Sequence, residues 1–333
     1  MHHRTALRRR ALLSTLSAGA ALGTIPGLAR AQDAWKPDRP IRFIVGFSAG
    51  GSADALARLL AVPMGVRLGM PVVVDNVPGA GATIAMSALV RSAADGCTIA
   101  MGTPGTHAIN PALMGARLPF RVPADFTPIT LLASQPNVLI VNRDLGIRDM
   151  AGFLAWVRAH PDAAFGSAGV GTSNHLCGEL LNLRLGTRLR HVAYKGAPQV
   201  IADLLGGHIP MTFDNITTAA ALAGEGRVTA LAVTTAGRSA KLPRLPTLAE
   251  SGLAGYDLAS WQGLFAPQGL PAPVQQALHQ ATVHALNDAE VRQRLAGYGC
   301  EPGGMAPAAF ARFLQVEFRR WGDIVREAGV TLD

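Results

Sequence analysis

The stretch Gly46-Phe47-Ser48-Ala49-Gly50-Gly51-Ser52-Ala53-Asp54 gathers the residue types best suited to chemistry in this 333-residue chain. It joins a run that reads as a strand, Ile41 to Gly46, to a helical pattern from Ala53 to Leu68 closed by Gly69. In an open α/β sheet, ligands bind outside the carboxyl ends of the strands. Glycines there let a ligand reach the backbone, and the first N–H groups of a helix carry about half a positive charge. A carboxylate is the natural guest of such a loop. Asp54 would repel an anion, so it is expected to cap amides of the first turn instead. A second loop repeats the device: Gly166-Ser167-Ala168-Gly169-Val170-Gly171-Thr172-Ser173-Asn174-His175 follows another strand and opens another helix, with three hydroxyls able to donate. His175 falls in the first helical turn and reads as a packing or orienting residue.

Other chemistries have less support. Gly46-Phe47-Ser48-Ala49-Gly50 also fits G-x-S-x-G, so the alternative function is a secreted serine hydrolase with Ser48 as nucleophile. Against it, Ser48 stands on the first strand, whereas the elbow follows several strands, and His279 and His284 fall inside a predicted helix. Gly79-x-Gly81 lacks the third glycine of a dinucleotide fingerprint, and no glycine loop carries the Lys-Ser/Thr of a phosphate loop. No two histidines stand at i, i+4 with a carboxylate, so no metal site is predicted. Trp261 and Phe265 read as core aromatics.

These loops need elements to hold them, and short apolar runs alternate with helical patterns throughout. Strands are predicted at Val72–Val74, Thr98–Met101, Ala164–Ser167, Leu189–Ala193, Met211–Phe213 and Val228–Val233. Helices are predicted at Ala82–Ala93, Met150–Ala159, Ser173–Leu185, Pro198–Leu205, Thr217–Ala223, Ala272–Leu286, Glu290–Leu295 and Pro307–Glu327, and a turn-rich loop follows Met101. Two long β-rich runs, Ile129–Val141 (interrupted by Pro136) and Tyr256–Phe265, bracket the middle of the chain. The fold class is α/β, with mixed or parallel sheets flanked by helices. The strand count exceeds what one open sheet commonly holds. Two lobes are therefore expected, residues 33–135 plus 262–333 and residues 136–261, closing on a ligand in the cleft between them.

Residues 1–31 have the layout of a secretory signal peptide: a basic segment ending at Arg10, an uncharged run from Ala11 to Leu28, and Ala29-Arg30-Ala31 as the cleavage signal. Arg9-Arg10 is compatible with twin-arginine export, and an ordinary secretory signal fits equally. No cysteine stands at the cleavage point, so no lipid anchor is expected. The signal carries five arginines and no acid. Its loss turns a formal charge of +8, from 30 basic and 22 acidic residues, into 25 against 22, or +3. The remaining basic residues are scattered, which argues against nucleic acid as a partner. Past Leu28 no run of ~18 residues is both uncharged and continuously apolar, as a bilayer span requires. Cys97, Cys177 and Cys300 are too few and too far apart for a disulfide framework and are expected as buried free thiols.

The chain resembles the substrate-binding proteins of tripartite tricarboxylate transporters, the Bug family. The similarity is carried by Val45–Gly51, Val74-Asp75-Asn76-Val77-Pro78-Gly79-Ala80-Gly81, Thr106-His107-Ala108-Ile109-Asn110-Pro111, Gly166–Leu176, Tyr194-Lys195-Gly196, Asp203–Gly207, Phe213-Asp214-Asn215, Leu245-Pro246-Thr247 and Trp261–Pro267. These stretches are collinear and cover nearly the whole mature chain. The resemblance implies a Venus-flytrap fold, a small organic carboxylate as ligand, no cofactor, and permease subunits or a membrane sensor as partners of a periplasmic monomer. Carried over, the ligand-binding candidates are Phe47, Ser48, Ala49, Gly50 and Gly51 in lobe one, with Thr106 and His107 from the matching stretch. In lobe two they are Gly169, Thr172, Ser173, His175 and Asp214. The family's first loop usually has proline where this chain has Ser48 or Ala49. The loop is therefore expected to be less rigid and to bring a hydroxyl to the site.

Overall fold

A computed structural model describes residues 35–331, so the signal assigned to residues 1–31 lies outside the described residues. The chain runs β1 (Ile41–Val45), α1 (Ser52–Leu68), β2 (Val72–Asn76), α2 (Thr83–Val90), β3 (Thr98–Gly102), α3 (Asn110–Met114), β4 (Phe126–Asn142), α4 (Met150–Ala159), β5 (Ala164–Ser167) and α5 (Ser173–Leu185). It continues β6 (Arg190–Ala193), α6 (Ala197–Leu205), β7 (Met211–Asn215), α7 (Ile216–Gly224), β8 (Val228–Val233), β9 (Ala259–Pro267), α8 (Ala272–Asn287), α9 (Ala289–Tyr298), β10 (Glu301–Pro302) and α10 (Pro307–Glu327). Helices α4, α5 and α10 and strands β5 and β8 begin and end where the apolar period and the flanking caps predict.

Two elements depart from the sequence pattern. The loop expected after β3 is instead helical from Gly105 through α3, helped by Pro111 in the first turn of α3, where its missing N–H costs nothing. Strand β4 is not interrupted at Pro136 but continues through it for 17 residues. Its partners change there. Phe126 to Pro136 pair with β9, while Asn137 to Asn142 pair with β7 and β8. The proline lacks a ladder donor and falls at the hand-over, where that loss is tolerated.

The result is a two-lobed α/β architecture. One lobe's strands run β2-β1-β3-β9-β4, with β1, β2 and β3 parallel and β9 antiparallel to both β3 and β4. The other continues β4-β7-β5-β6, with β5, β6 and β7 parallel to one another and β8 also antiparallel to β4. Each sheet is covered on both faces. Phe43, Leu56, Leu60, Leu264 and Leu278 fill one side of the first, and Ile44, Met86, Trp261, Phe265 and Phe310 the other. Phe153, Phe165, Leu176 and Phe213 pack on one side of the second, and Val138, Ile140, Val200, Leu204 and Ile216 on the other. Burial on both faces is why the strands read as unbroken apolar runs instead of alternating ones.

Helix α10 packs against both lobes. Its Phe310 packs beside Phe265 and Trp261, while Trp321 and Val325, about three turns on, enter the core built around Phe153 and Phe213. Between them Glu317, 6% exposed, accepts on one carboxylate oxygen from both Trp261 Nε1 (2.8 Å) and Trp321 Nε1 (2.9 Å). Cys97, Cys177 and Cys300 are free and buried, as expected. Burial pushes the Cys177 thiol up to about 12 and the Cys300 thiol to about 11, so neither is a nucleophile at neutral pH.

Candidate functional site: a cleft of helix N-termini

The first glycine loop and the second meet across a cavity of about 50 Å³. Phe47, Ser48, Gly51, Ser52, Ala53 and Thr103 line it from one side, and Ala168, Thr172, Ser173, Asn174, Ala197, Asp214 and Asn215 from the other. Ser260 and Gln262, on the connecting strand β9, complete the lining. Of the residues singled out from the sequence, Phe47, Ser48, Gly51, Thr172, Ser173 and Asp214 are brought together here. Ala49, Gly50, Thr106, His107, Gly169 and His175 do not line the cavity.

The lining repeats one structural feature. Ser52 and Ala53 are the first two residues of α1, Ser173 and Asn174 the first two of α5, Ala197 the first of α6, and Asn215 the residue preceding α7. Four helix N-termini therefore converge on one small space. Three of them, at α1, α6 and α7, carry no side-chain cap. Capping residues normally satisfy such amides from within the chain. No lysine, arginine or histidine lines the cavity, and Asp214 is its one charged residue. Positive potential in this site thus comes from peptide dipoles, each terminus contributing on the order of +0.5 charge. That suits a carboxylate, which accepts hydrogen bonds at both oxygens.

The residues outside the lining have structural roles. Gly50 donates its amide to Asp54 Oδ2 at 3.0 Å. Burial pushes the Asp54 carboxyl up, but Arg58 at 3.0 Å and the Gly50 amide outweigh it and leave the acid ionised. Asp54 therefore caps the loop amide of Gly50, which precedes α1, and the amides facing the cavity start one residue beyond it. Thr106 Oγ1 closes the turn after β3, accepting from the Thr103 amide at 2.9 Å and contacting His107 Nδ1 at 2.8 Å. His107 stacks on Phe265 (3.8 Å between ring centroids) away from the cleft. Gly169, with φ +136°, has a backbone that only glycine adopts readily. Its carbonyl accepts from the Thr172 and Ser167 hydroxyls. His175 accepts from the Gly171 amide through Nδ1 (3.2 Å) and stacks on His191 (3.9 Å), which in turn contacts Ser167 Oγ at 2.6 Å. The two histidines hold the second loop from behind.

Contacts across the cleft explain Ser48. Its hydroxyl accepts from Gln199 Nε2 at 3.3 Å, and Ser52 Oγ accepts from Asn215 Nδ2 at 2.9 Å. The Ser48 hydroxyl thus joins the two lips of the cleft. The strand–turn–helix setting of a nucleophile elbow is present, yet Gln199, not a histidine, is the hydrogen-bond partner of Ser48 among the described residues. His279 sits on α8 against the Met305 carbonyl. Nor do the described residues hold any group of three or more His, Cys, Asp or Glu able to bind a metal, or any helix long and apolar enough to cross a membrane.

Sequence reasoning missed Ser52, Ala53, Thr103, Ala168, Asn174, Ala197, Asn215, Ser260 and Gln262. A signal existed for the last two: Ser260 and Gln262 are polar, two apart, and so share one face of an otherwise apolar strand. Buried polar residues in such a run require partners.

Two histidines and Asp214 make stability depend on pH. Burial lowers His107 to about 3, and burial together with His175 lowers His191 to about 3. Unfolding lets both bind protons near their ordinary 6.5, so their contribution is present above pH 6.5 and lost as pH falls toward 3. Burial raises Asp214 to about 7, so its contribution runs the other way and is lost as pH rises from about 4 to 7. At pH 5 the unfolded chain holds two extra histidine protons and lacks one on Asp214. Unfolding free energy without ligand should therefore climb by about 1.4 kcal/mol per pH unit between pH 5 and 6. Denaturant titrations at stepped pH will measure it, and Asp214→Asn should roughly double the slope. A flat profile would show that the histidines are not held neutral.

The comparisons agree with this geometry. A profile described as tripartite tricarboxylate transporter family receptor matches residues 56–330. The chain is similar to protein BugT of Bordetella pertussis, with 34% identity over 89% of this chain and 91% of BugT. It is also similar to the solved structure of Rpa4515 from R. palustris with adipate, at TM-score 0.85 and 34% identity, covering 89% of this chain and 99% of the other. Against MatC (Rpa3494) from Rhodopseudomonas palustris with bound malate, the TM-score is 0.82 and the identity 33%, covering 87% of this chain and 99% of MatC. With its profile match spanning most of the described residues and its two lobes meeting at a cleft of helix N-termini, the chain belongs to the tripartite tricarboxylate transporter receptor family.

Proposed function

We propose that this protein is an exported periplasmic solute-binding protein, processed after Ala31, that captures a small organic carboxylate. It would deliver the ligand, as a monomer, to the membrane permease subunits of a tripartite tricarboxylate-type transporter. The observation that carries the reading is the convergence of four helix N-termini, three without side-chain caps, on a cavity with no basic side chain. The adipate and malate held by similar proteins support it. We assign lobe one to residues 33–135 plus 262–333 and lobe two to 136–261. The change of β4's partners at Pro136 supports the first crossing, and the entry of β9 into the first sheet from Ala259 supports the second within a few residues. Phe47, Ser48, Gly51, Thr172, Ser173 and Asp214 are proposed to face the ligand, and Ala49, Gly50, Thr106, His107, Gly169 and His175 to support them.

A thermal-shift screen of the mature protein against mono-, di- and tricarboxylates tests the reading. A ligand present at 100 times its Kd adds about 2.7 kcal/mol to unfolding, so a clear upward shift with at least one carboxylate is expected. A response to sugars or simple amines, with none to any carboxylate, would sink it.

A further inference from the structure

Three side-chain oxygens facing the cleft are buried and have no hydrogen-bond partner: Asp214 Oδ2, Asn215 Oδ1 and Gln262 Oε1. Their other atoms explain why these are left over. Asp214 Oδ1 already accepts from the Asn215 amide at 2.9 Å, and Asn215 Nδ2 is committed to Ser52 Oγ. Asp214 is 5% exposed and Gln262 2%, so water is not freely available to either. Buried polar atoms in folded proteins are nearly always paired, and a group of orphans in one place calls for a partner from outside. Asn215 Oδ1 and Gln262 Oε1 are acceptors, and Asp214, raised to about 7 by burial, joins them once it is ionised above that pH. They come from β7 and β9, which pair with β4 on either side of Pro136, and all three residues line the same cavity. A second carboxylate oxygen placed among them would set acceptor against acceptor, with Asp214 adding like charge.

We infer that the ligand carries an O–H or N–H donor, held against Asp214, Asn215 and Gln262, so that the site selects hydroxy or amino carboxylic acids over their unsubstituted parents. This deepens the proposed function and rests on the carboxylate reading. The ligand's carboxylate takes the uncapped amides of the helix N-termini, and its hydroxyl or ammonium takes the acceptor set. A hydroxyl offers one hydrogen. An ammonium offers three, with a charge opposite to that of Asp214. A site built to hydrogen-bond such a group rejects the analogue lacking it, because the protein's own polar atoms are then left bare.

The test is calorimetric titration of the mature protein with matched acids: propionate, succinate, glutarate and adipate, each against its 2-hydroxy and 2-amino counterparts. In at least one series the substituted acid should bind at least ~10-fold tighter than its parent, and whether the 2-hydroxy or the 2-amino acid leads identifies the donor. In Asp214→Leu and Gln262→Leu, each checked for an unchanged fold by circular dichroism, that ratio should fall toward unity. The wild-type ratio decides by itself if either variant does not fold. Equal or tighter binding of the unsubstituted acids would overturn this inference and leave the carboxylate reading standing. A preference that survives in both folded variants would remove it from these three residues. Failure of every acid to bind would overturn the carboxylate reading, and this inference with it.

Discussion

Glu317→Leu is expected to lower unfolding free energy by on the order of 3 kcal/mol, the largest loss from any single side chain discussed. The physical reason is the pair of indole donors that share one of its oxygens, Trp261 Nε1 and Trp321 Nε1. Both indoles are 1% exposed, so neither can turn to water when the acceptor goes. A buried donor stranded in this way costs about 1–3 kcal/mol, and here there are two. Trp261 stands in the core beside Phe265 and Phe310, and Trp321 in the core beside Phe153 and Phe213, so the loss would be felt in both lobes. Glu317→Gln is the informative control, since its amide oxygen can still accept from both indoles and should restore most of the stability. Urea titrations followed by tryptophan fluorescence would measure both. If the glutamine variant is as damaged as the leucine variant, it is the charge, with Arg320 at 3.7 Å, that matters and not the shared acceptor.

Gly105→Val is expected to lower unfolding free energy by about 1–3 kcal/mol and to disturb the second loop that lines the cleft. A Cβ at Gly105 would stand 2.7 Å from the Gly171 carbonyl oxygen, closer than any real side chain approaches. Gly105 opens the helical segment after β3, whose Ala108 and Ile109 sit in the core beside Leu176, and Gly171 lies in the second loop, so the clash falls in a packed contact between these two segments. Overpacking of this kind costs about 1–3 kcal/mol. Gly237→Val supplies the comparison, because nothing lies within 4 Å of a Cβ there. Urea titrations of the two variants would read the effect. Equal stability of Gly105→Val and Gly237→Val would mean that the second loop shifts freely to admit the side chain.

Much of this protein was legible in order along the chain. The apolar period located α10 at Pro307–Glu327, because a helix buried on one side must repeat its apolar residues every three to four positions. Both glycine loops were visible for a similar reason, since a backbone that approaches a ligand closely needs glycine, and Gly169 at φ +136° needs it for its own conformation. Asp54 was legible as a cap from its place in the first turn.

Tertiary structure decided what those pieces do together. The four helix starts at Ser52, Ser173, Ala197 and Asn215 are up to 163 residues apart, and no local pattern says that they share a cavity. Thr106 and His107 belong to a stretch as distinctive as the loops, yet β3 turns them behind the cleft, where Phe265 covers the imidazole. Pro136 looked like a break in a strand and is the point where β4 changes sheets. Local sequence reports the backbone's short-range preferences and the period of burial, and these fixed the elements and the loops. Which amides are left uncapped, and which acceptors line the same cavity, depends on contacts between residues far apart in the chain, and only the folded chain brings those together.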